Sequence, residues 1–182
     1  MDIEKGVYTF QDLVDLCGSR RRAESAIAEG ELLKISHGLY SNVTDPSQEA
    51  FLVLSKYYPG AVISGSSSLL YQELSDRMDE KIHVDVARET HMRESDFFEF
   101  HRVSSNQLTG IEEKNLNGVM VKIYSRERAL FEAQKYSRPS LHYAVKSYVE
   151  GGVNMPELNR LHEIFGGDVV MLVLHHKSDA SF

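Results

Sequence analysis

The chain has 182 residues, of which 42% are hydrophobic and 26% charged, a composition that excludes global disorder. No apolar run approaches the roughly 20 residues of a membrane-spanning helix, so a spanning protein is excluded. The net charge of −7 excludes a generally basic nucleic-acid coat protein, but it is compatible with a local basic patch. The first residues lack a signal-peptide pattern, and the single cysteine, Cys17, suits a reducing compartment. We therefore expect a cytoplasmic protein without membrane contact.

The N-terminal segment carries the signals of two short helices joined by a tight turn. Thr9 and Asp12 form a capping-box pattern, and apolar residues recur at helical spacing from there to Gly18. Ser19 is a second N-cap, and it begins a helix with the sequence RRRAESAIAE that ends before Gly30. The sequence thus predicts a helix, a turn and a second helix with a basic N-terminus.

A β-hairpin is predicted directly after the second helix. Leu33 and Ile35 alternate with polar residues at strand period, and Gly38 can adopt the positive φ of a tight hairpin. The polar stretch 41–48 then separates this compact segment from the rest of the chain. We therefore predict two domains: a winged helix-turn-helix domain at residues 1–44 and a C-terminal domain at residues 45–182.

The C-terminal domain mixes helix and strand patterns. Strands are predicted at residues 61–64, 81–87, 97–103 and 118–124, and helices at 46–58, 66–74, 126–136, around 141–148 and around 158–165. The final apolar run, 169–174, is compatible with strand or helix, and the charges at its two ends favour a helix. The predicted fold class is α+β, with an N-terminal winged helix-turn-helix followed by a mixed α/β domain.

The second helix and the hairpin are the candidate DNA-binding surface. In a winged helix-turn-helix, the N-terminal residues of the second helix meet base edges in the major groove, where arginine supplies charge and paired donors. The residues predicted to contact double-stranded DNA are Ser19, Arg20, Arg21, Arg22 and Ser25 on the helix, and Lys34 and His37 in the hairpin. The competing interpretation is a solvated arginine cluster on a small helical domain.

Three stretches of sequence carry a resemblance to one family. The segment FQDLVDLCGSRRRAESAIAEGELLKISHGLYSN resembles the N-terminal domain of AbiEi-family antitoxins, and AVISGSSSLLYQEL and VKIYSRERALFEAQKYS are similar to parts of that family's second domain. The resemblance implies a bacterial type IV antitoxin whose winged domain binds and represses its own promoter. It also implies that the second domain counteracts a nucleotidyltransferase-like toxin, for which the family needs no tight direct complex.

Two functions from other classes remain as alternatives. The first is a nucleotidyltransferase-like enzyme with a degenerate metal site, because residues 63–66 and His83-Val84-Asp85 echo the Gly-Ser turn and Asp-x-Asp strand of such enzymes. However, His83 stands where a carboxylate is expected, and Mg²⁺ prefers oxygen ligands. We therefore expect no catalysis and no cofactor. The second is a protein-interaction module whose arginine helix meets an acidic partner.

The histidines do not form a recognisable metal motif in the sequence. His83 and Asp85 share a strand face, and His175 and His176 are adjacent, but zinc-ligand spacing is absent. We therefore predict no metal site. His162 falls on the apolar stripe of its helix, and we predict that it is a buried core residue with its polar atoms satisfied.

Overall fold

A computed structural model of the chain describes residues 3–92, 95–136 and 138–179. Within them, the protein is a mixed α+β fold with eight α-helices and two β-sheets. The chain divides into two compact units. In the described part of the chain, the first unit comprises residues 3–59, 95–96 and 115–121, and the second comprises the remainder. The predicted boundary between residues 44 and 45 therefore lies inside the first unit.

The first unit begins with strand β1 (Val7–Thr9), helix α1 (Phe10–Cys17) and helix α2 (Arg20–Ala28). The predicted capping box is confirmed, because the Thr9 N–H donates to Asp12 Oδ2 at 2.8 Å and the Asp12 N–H donates to Thr9 Oγ1 at 3.1 Å. Gly18 ends α1 in the left-handed conformation, with φ of 73°. The Ser19 hydroxyl then caps α2. Local sequence signals thus determine both helices and the turn between them.

Strands β2 (Leu33–Ser36) and β3 (Leu39–Ser41) complete an antiparallel sheet in the order β1-β3-β2. The predicted hairpin turn is confirmed, and Gly38 has a φ of 75°. The predicted alternation of β2 is interrupted by a register shift between Lys34 and Ser36. The side chain that enters the core is Leu32, the residue before β2, whereas Leu33 is 69% exposed.

The core of the first unit lies where the two short helices meet the sheet. Its buried side chains are Leu13, Cys17, Ala23, Ala26 and Leu32. Cys17 is 3% exposed and packs as a small core residue. Small alanines on the inner face of α2 allow the two helices to approach closely, so α2 has a fixed position in the unit and its other face is left exposed.

Helix α3 (Pro46–Tyr57) packs against the start of the first unit through its last turn. Lys56 Nζ donates to the Val7 carbonyl at 3.0 Å and to Asp12 Oδ2 at 3.1 Å. The Tyr57 hydroxyl lies 3.3 and 3.2 Å from the same two oxygens. The carboxylate that completes the capping box of α1 therefore also joins α1 to α3.

We expect Asp12→Ala to lower the free energy of unfolding by about 1–2 kcal/mol, because it removes the capping-box acceptor and the partner of Lys56. Asp12→Asn keeps an acceptor oxygen and should cost less. Chemical denaturation at neutral pH measures both effects. Asp15 is exposed on the same helix, and Asp15→Ala serves as the control. Equal stabilities of Asp12→Ala and Asp15→Ala would contradict this assignment.

The stabilisation by Asp12 should also depend on pH. The Thr9 backbone N–H lowers the pKa of Asp12 below its ordinary value of 3.8 in the folded protein, with further lowering by Lys56. Since the folded-state pKa is depressed, the stabilisation is complete above the unfolded-state value and is lost as the pH falls through the folded-state pKa. Asp12→Asn should remove this component of acid sensitivity.

The second sheet has five strands in the order β6-β5-β4-β8-β7. The strands are β4 (Val62–Ile63), β5 (Ile82–Ala87), β6 (Phe98–Val103), β7 (Ile111–Leu116) and β8 (Val119–Tyr124). Strand β4 pairs antiparallel with β5 and parallel with β8, and β5 pairs parallel with β6. The sheet is therefore mixed. Four of its strands match the predicted segments, whereas β7 was not predicted.

Helices of the second unit carry most of its core. They are α4 (Gly65–Tyr71), α5 (Arg126–Tyr136), α6 (Arg138–Glu150), α7 (Met155–Phe165) and α8 (Val169–Asp179). The final apolar run is a helix, as its end charges favour. The prediction for His162 is wrong, because it is exposed while Leu158 and Leu161 fill the buried face of α7. One residue beyond Leu161, the side chain points about 100° away from the core.

A buried ion pair lies in this helical core. Arg128 on α5 is fully buried, and its guanidinium lies 4.3 Å from the ring centroid of Tyr124 and 3.9 Å from that of Phe165. Arg128 Nη1 donates to Glu132 Oε1 one turn later on α5. Lys135 Nζ lies 2.6 Å from the same oxygen. The charge of Arg128 is thus compensated inside the core rather than presented to solvent.

In the part of the chain that the structure covers, no helix combines the length and the apolar character needed to cross a bilayer.

Candidate functional site

The N-terminus of α2 presents a cluster of positive charge. Arg20, Arg21 and Arg22 form its first turn, all three are exposed, and this turn contains no acidic residue. The partial positive charge of a helix N-terminus adds to the charge of the three guanidinium groups. All seven predicted DNA-contacting residues are exposed and belong to the first unit.

The three arginines differ in what they contact. Arg20 Nε donates to Glu24 Oε1 at 2.8 Å, and its guanidinium lies 5.7 Å from the Phe10 ring centroid. Among the described residues, the side chains of Arg21 and Arg22 make no hydrogen bond or ion pair. One turn later, the Ser25 hydroxyl donates a hydrogen bond to Glu29 Oε1 at 2.6 Å. Arg21 and Arg22 are therefore the arginines of this turn that a ligand can engage without displacing an intramolecular partner.

The hairpin adds another exposed cation to this unit. Lys34 is exposed on β2, and its ammonium group has no hydrogen-bond partner within the described ranges. His37 is exposed in the turn between β2 and β3. The hairpin follows helix α2 directly in the chain, and both belong to the same compact unit. The surface therefore combines a basic helix end with a basic hairpin.

Asp85, the carboxylate of the alternative nucleotidyltransferase interpretation, is buried in the second sheet. Asp85 on β5 is only 3% exposed, and its Oδ2 accepts a hydrogen bond from the Tyr124 hydroxyl at 2.7 Å. Burial, with a smaller contribution from Asp85, raises the pKa of Tyr124 well above its ordinary value. The tyrosine thus stays a donor at every physiological pH, and Asp85 acts as its hydrogen-bond acceptor inside the sheet.

Strands β5 and β6 bring two histidines and a glutamate together on one face. The parallel register places His83 beside Glu99 and Asp85 beside His101. His83 Nδ1 lies 2.9 Å from His101 Nε2, within hydrogen-bond distance, and the two ring planes are nearly parallel, with an angle of 7° and centroids 5.2 Å apart. One ligand atom from each of His83, Glu99 and His101 lies within 4.8 Å of the other two. These residues can hold a metal ion, which the prediction of no metal site did not anticipate.

A pocket of about 570 Å³ adjoins these strands in the second unit. Its lining includes Ser66, Asp79, His83 and Glu99. Asp79 accepts hydrogen bonds from the Ser66 hydroxyl and from Arg77 Nε, and its Oδ2 lies 3.4 Å from His83 Nε2. The Ser66 hydrogen bond, assisted by Arg77, lowers the pKa of Asp79. The lowered pKa favours the ionised form of Asp79, which lies beside the imidazole of His83 in the pocket wall.

These features define a mixed α+β protein with a basic helix–hairpin unit and a separate histidine cluster. The fold is similar to that of the RV2827C protein from Mycobacterium tuberculosis, whose crystal structure matches 95% of this chain and 71% of that chain, with a TM-score of 0.67 and 16% sequence identity. At this identity the similarity shows the fold alone. No protein-family model and no curated protein sequence matches the chain.

Proposed function

We propose that the chain is a sequence-specific DNA-binding antitoxin that represses its own operon, with a winged helix-turn-helix in its first unit. The observation that carries the DNA-binding part is the exposed pair Arg21 and Arg22. Both lie in the first turn of a helix capped by Ser19, and both lack an intramolecular partner among the described residues. Base edges and phosphates are the ligands that such arginines bind with paired hydrogen bonds.

The dimensions of α2 are compatible with this role. Nine residues give a helix about 14 Å long, and the major groove is about 12 Å wide. If α2 enters the major groove by its N-terminal end, Arg21 and Arg22 face the base edges there. The hairpin would place Lys34 and His37 at the neighbouring backbone. The small alanines that bury the other face of α2 hold it to α1, so that DNA meets a rigid helix.

The antitoxin part of the proposal rests on the family resemblance. We propose that the second unit counteracts a nucleotidyltransferase-like toxin in the bacterial cytoplasm. The first test is a reporter gene fused to the DNA upstream of this coding sequence. Wild-type protein should repress the reporter, and the double variant Arg21→Ala, Arg22→Ala should not. The second test is co-expression with a nucleotidyltransferase-like toxin from the same operon, which should restore growth; failure of both would refute the proposal.

The salt dependence of binding should be shallow for a DNA-binding protein. Three cations, Arg21, Arg22 and Lys34, are available without loss of an intramolecular partner, and each phosphate neutralised contributes about −0.9 to the slope of log K against log salt. We therefore expect a slope of about −2 to −3 for promoter binding, the shallower value if one arginine reads a base instead of a phosphate, measured by fluorescence anisotropy from roughly 50 to 200 mM salt. A slope near zero would exclude the cationic surface as the contact.

The proposal includes no catalysis by the second unit. Mg²⁺-dependent nucleotidyl transfer needs carboxylates that hold the metal, and Asp85 is buried against Tyr124. We expect no label to be transferred from radioactive nucleotides to tRNA or protein acceptors in the presence of Mg²⁺. A nucleotidyltransferase of known activity serves as the positive control. Transfer that Asp85→Ala abolishes would favour the enzyme instead.

A further inference from the structure

The histidine cluster on β5 and β6 has the composition of a transition-metal site. Its three side chains are two imidazoles and one carboxylate, the ligand set found in open zinc sites. Hard cations such as Mg²⁺ and Ca²⁺ select all-oxygen ligand sets instead. Glu99 is exposed, and its carboxylate makes no hydrogen bond or ion pair within the described residues. It is therefore available to a ligand.

Zinc binding requires the two imidazoles to move apart and to turn, whereas the strands that carry them already hold the three ligands close together. Zn–N and Zn–O bonds of about 2.0–2.2 Å place the ligand atoms of a tetrahedral ion roughly 3.3–3.6 Å apart. The nitrogens of His83 and His101 point at each other at 2.9 Å, so they must separate by about half an ångström, and the two rings must also turn until both lone pairs converge on the ion. The ligand atoms of all three residues already lie within 4.8 Å of one another. Glu99, being exposed, can rotate to close the remaining distance.

The surroundings of His83 match the second layer of a zinc site. If Nδ1 of His83 binds the metal, its proton resides on Nε2, which lies 3.4 Å from Asp79 Oδ2. Carboxylate–histidine–zinc arrangements of this kind fix the ring orientation and strengthen the ligand. Asp79 is itself held by Ser66 and Arg77, and the His83 backbone N–H donates to the Ser67 hydroxyl at 2.9 Å. Asp79 therefore positions the ring of His83, and Ser67 holds its backbone.

We propose that His83, Glu99 and His101 bind one Zn²⁺ ion, with Asp79 positioning His83. The fourth position of the ion is open to water. Because β6 is the edge strand of its sheet and β5 is its neighbour, the ion joins the edge strand to the interior of the sheet. Zinc binding therefore stabilises the second unit, and this role is independent of DNA binding by the first unit.

The test is zinc binding to the full chain after removal of metal with a chelator. Isothermal titration calorimetry and native mass spectrometry should give one Zn²⁺ per chain, and the Tm should rise with the free zinc concentration. Co²⁺ should bind in place of Zn²⁺ with the visible absorption of a four- or five-coordinate ion, and Mg²⁺ should not compete. Absence of zinc binding to the wild-type chain, or competition by Mg²⁺, would overturn the proposal.

Substitutions of the proposed ligands, compared with a control histidine, test where the zinc ion binds. Asp79→Asn should weaken zinc binding about 10- to 100-fold, and His101→Ala and Glu99→Gln at least as much. The control is His142→Ala, which removes an exposed histidine whose ring lies 5.9 Å from that of His176. His142→Ala should bind zinc like the wild type. If His101→Ala fails to fold without metal, Glu99→Gln decides, since Glu99 is exposed. Unchanged affinity in Glu99→Gln, or loss of binding in His142→Ala, would overturn the assignment.

Discussion

Replacing Arg128 by alanine is expected to lower the free energy of unfolding by about 3–5 kcal/mol. The substitution leaves Glu132, which is 2% exposed, with Lys135 as its one charged partner among the described residues. It also removes the guanidinium from between the rings of Tyr124 and Phe165 and leaves a cavity in the core. Because Arg128 is fully buried, neither loss can be compensated by solvent.

Denaturant titration with a probe in the second unit measures this effect, and two variants separate its causes. Arg160→Ala removes an exposed ion pair with Glu157 on α7 and should cost at most about 1 kcal/mol. The double variant Arg128→Met, Glu132→Leu replaces the buried pair with apolar groups and should be more stable than Arg128→Ala. If Arg128→Ala lowers the free energy of unfolding as little as Arg160→Ala does, the buried pair is not a stabilising feature.

The double variant Arg21→Ala, Arg22→Ala is expected to weaken promoter binding by about 2–4 kcal/mol, if at least one arginine reads a base edge and the other contacts phosphate. Stability should be unchanged, because both side chains are exposed and lack partners within the described residues. Gel-shift titration against the upstream DNA, beside thermal unfolding, measures both quantities.

Lysine substitutions distinguish base reading from simple attraction. Arg21→Lys keeps the charge but loses the paired donors of the guanidinium. If Arg21 reads a base, this variant should bind the promoter weakly while retaining affinity for unrelated DNA. The charge-matched control is Arg88→Ala, Lys146→Ala, which removes two exposed cations from the second unit. Equal weakening by this control would attribute the effect to net charge.

The sequence predicts most of the first unit because its signals are local. Thr9, Asp12, Gly18 and Ser19 act within one turn of their own position, and the structure confirms each role. Strand β1 was missed because three residues are too few to show a period. The register shift in β2 was missed because it depends on pairing with β3.

The second unit shows where pattern reasoning fails. Strand β7 lies at a sheet edge, and its residues are mostly exposed, so no apolar alternation indicated it. The histidine cluster was missed for a related reason. His83 and His101 are 18 residues apart, and only the parallel pairing of β5 and β6 brings their rings together. A periodic search for ligand spacing within one element cannot find ligands that strand pairing unites.

The most direct test of the DNA-binding proposal is a fluorescence anisotropy titration of two labelled duplexes at about 150 mM salt, the physiological ionic strength. One duplex carries the DNA upstream of the coding sequence, and the other carries the same bases in scrambled order. The wild-type chain should bind the upstream duplex at least about 1,000-fold more tightly than the scrambled one, the lower end of specific recognition. The variant Arg21→Ala, Arg22→Ala should lose that preference. Equal affinity of the wild-type chain for both duplexes, or a preference that survives in the variant, would contradict the proposal.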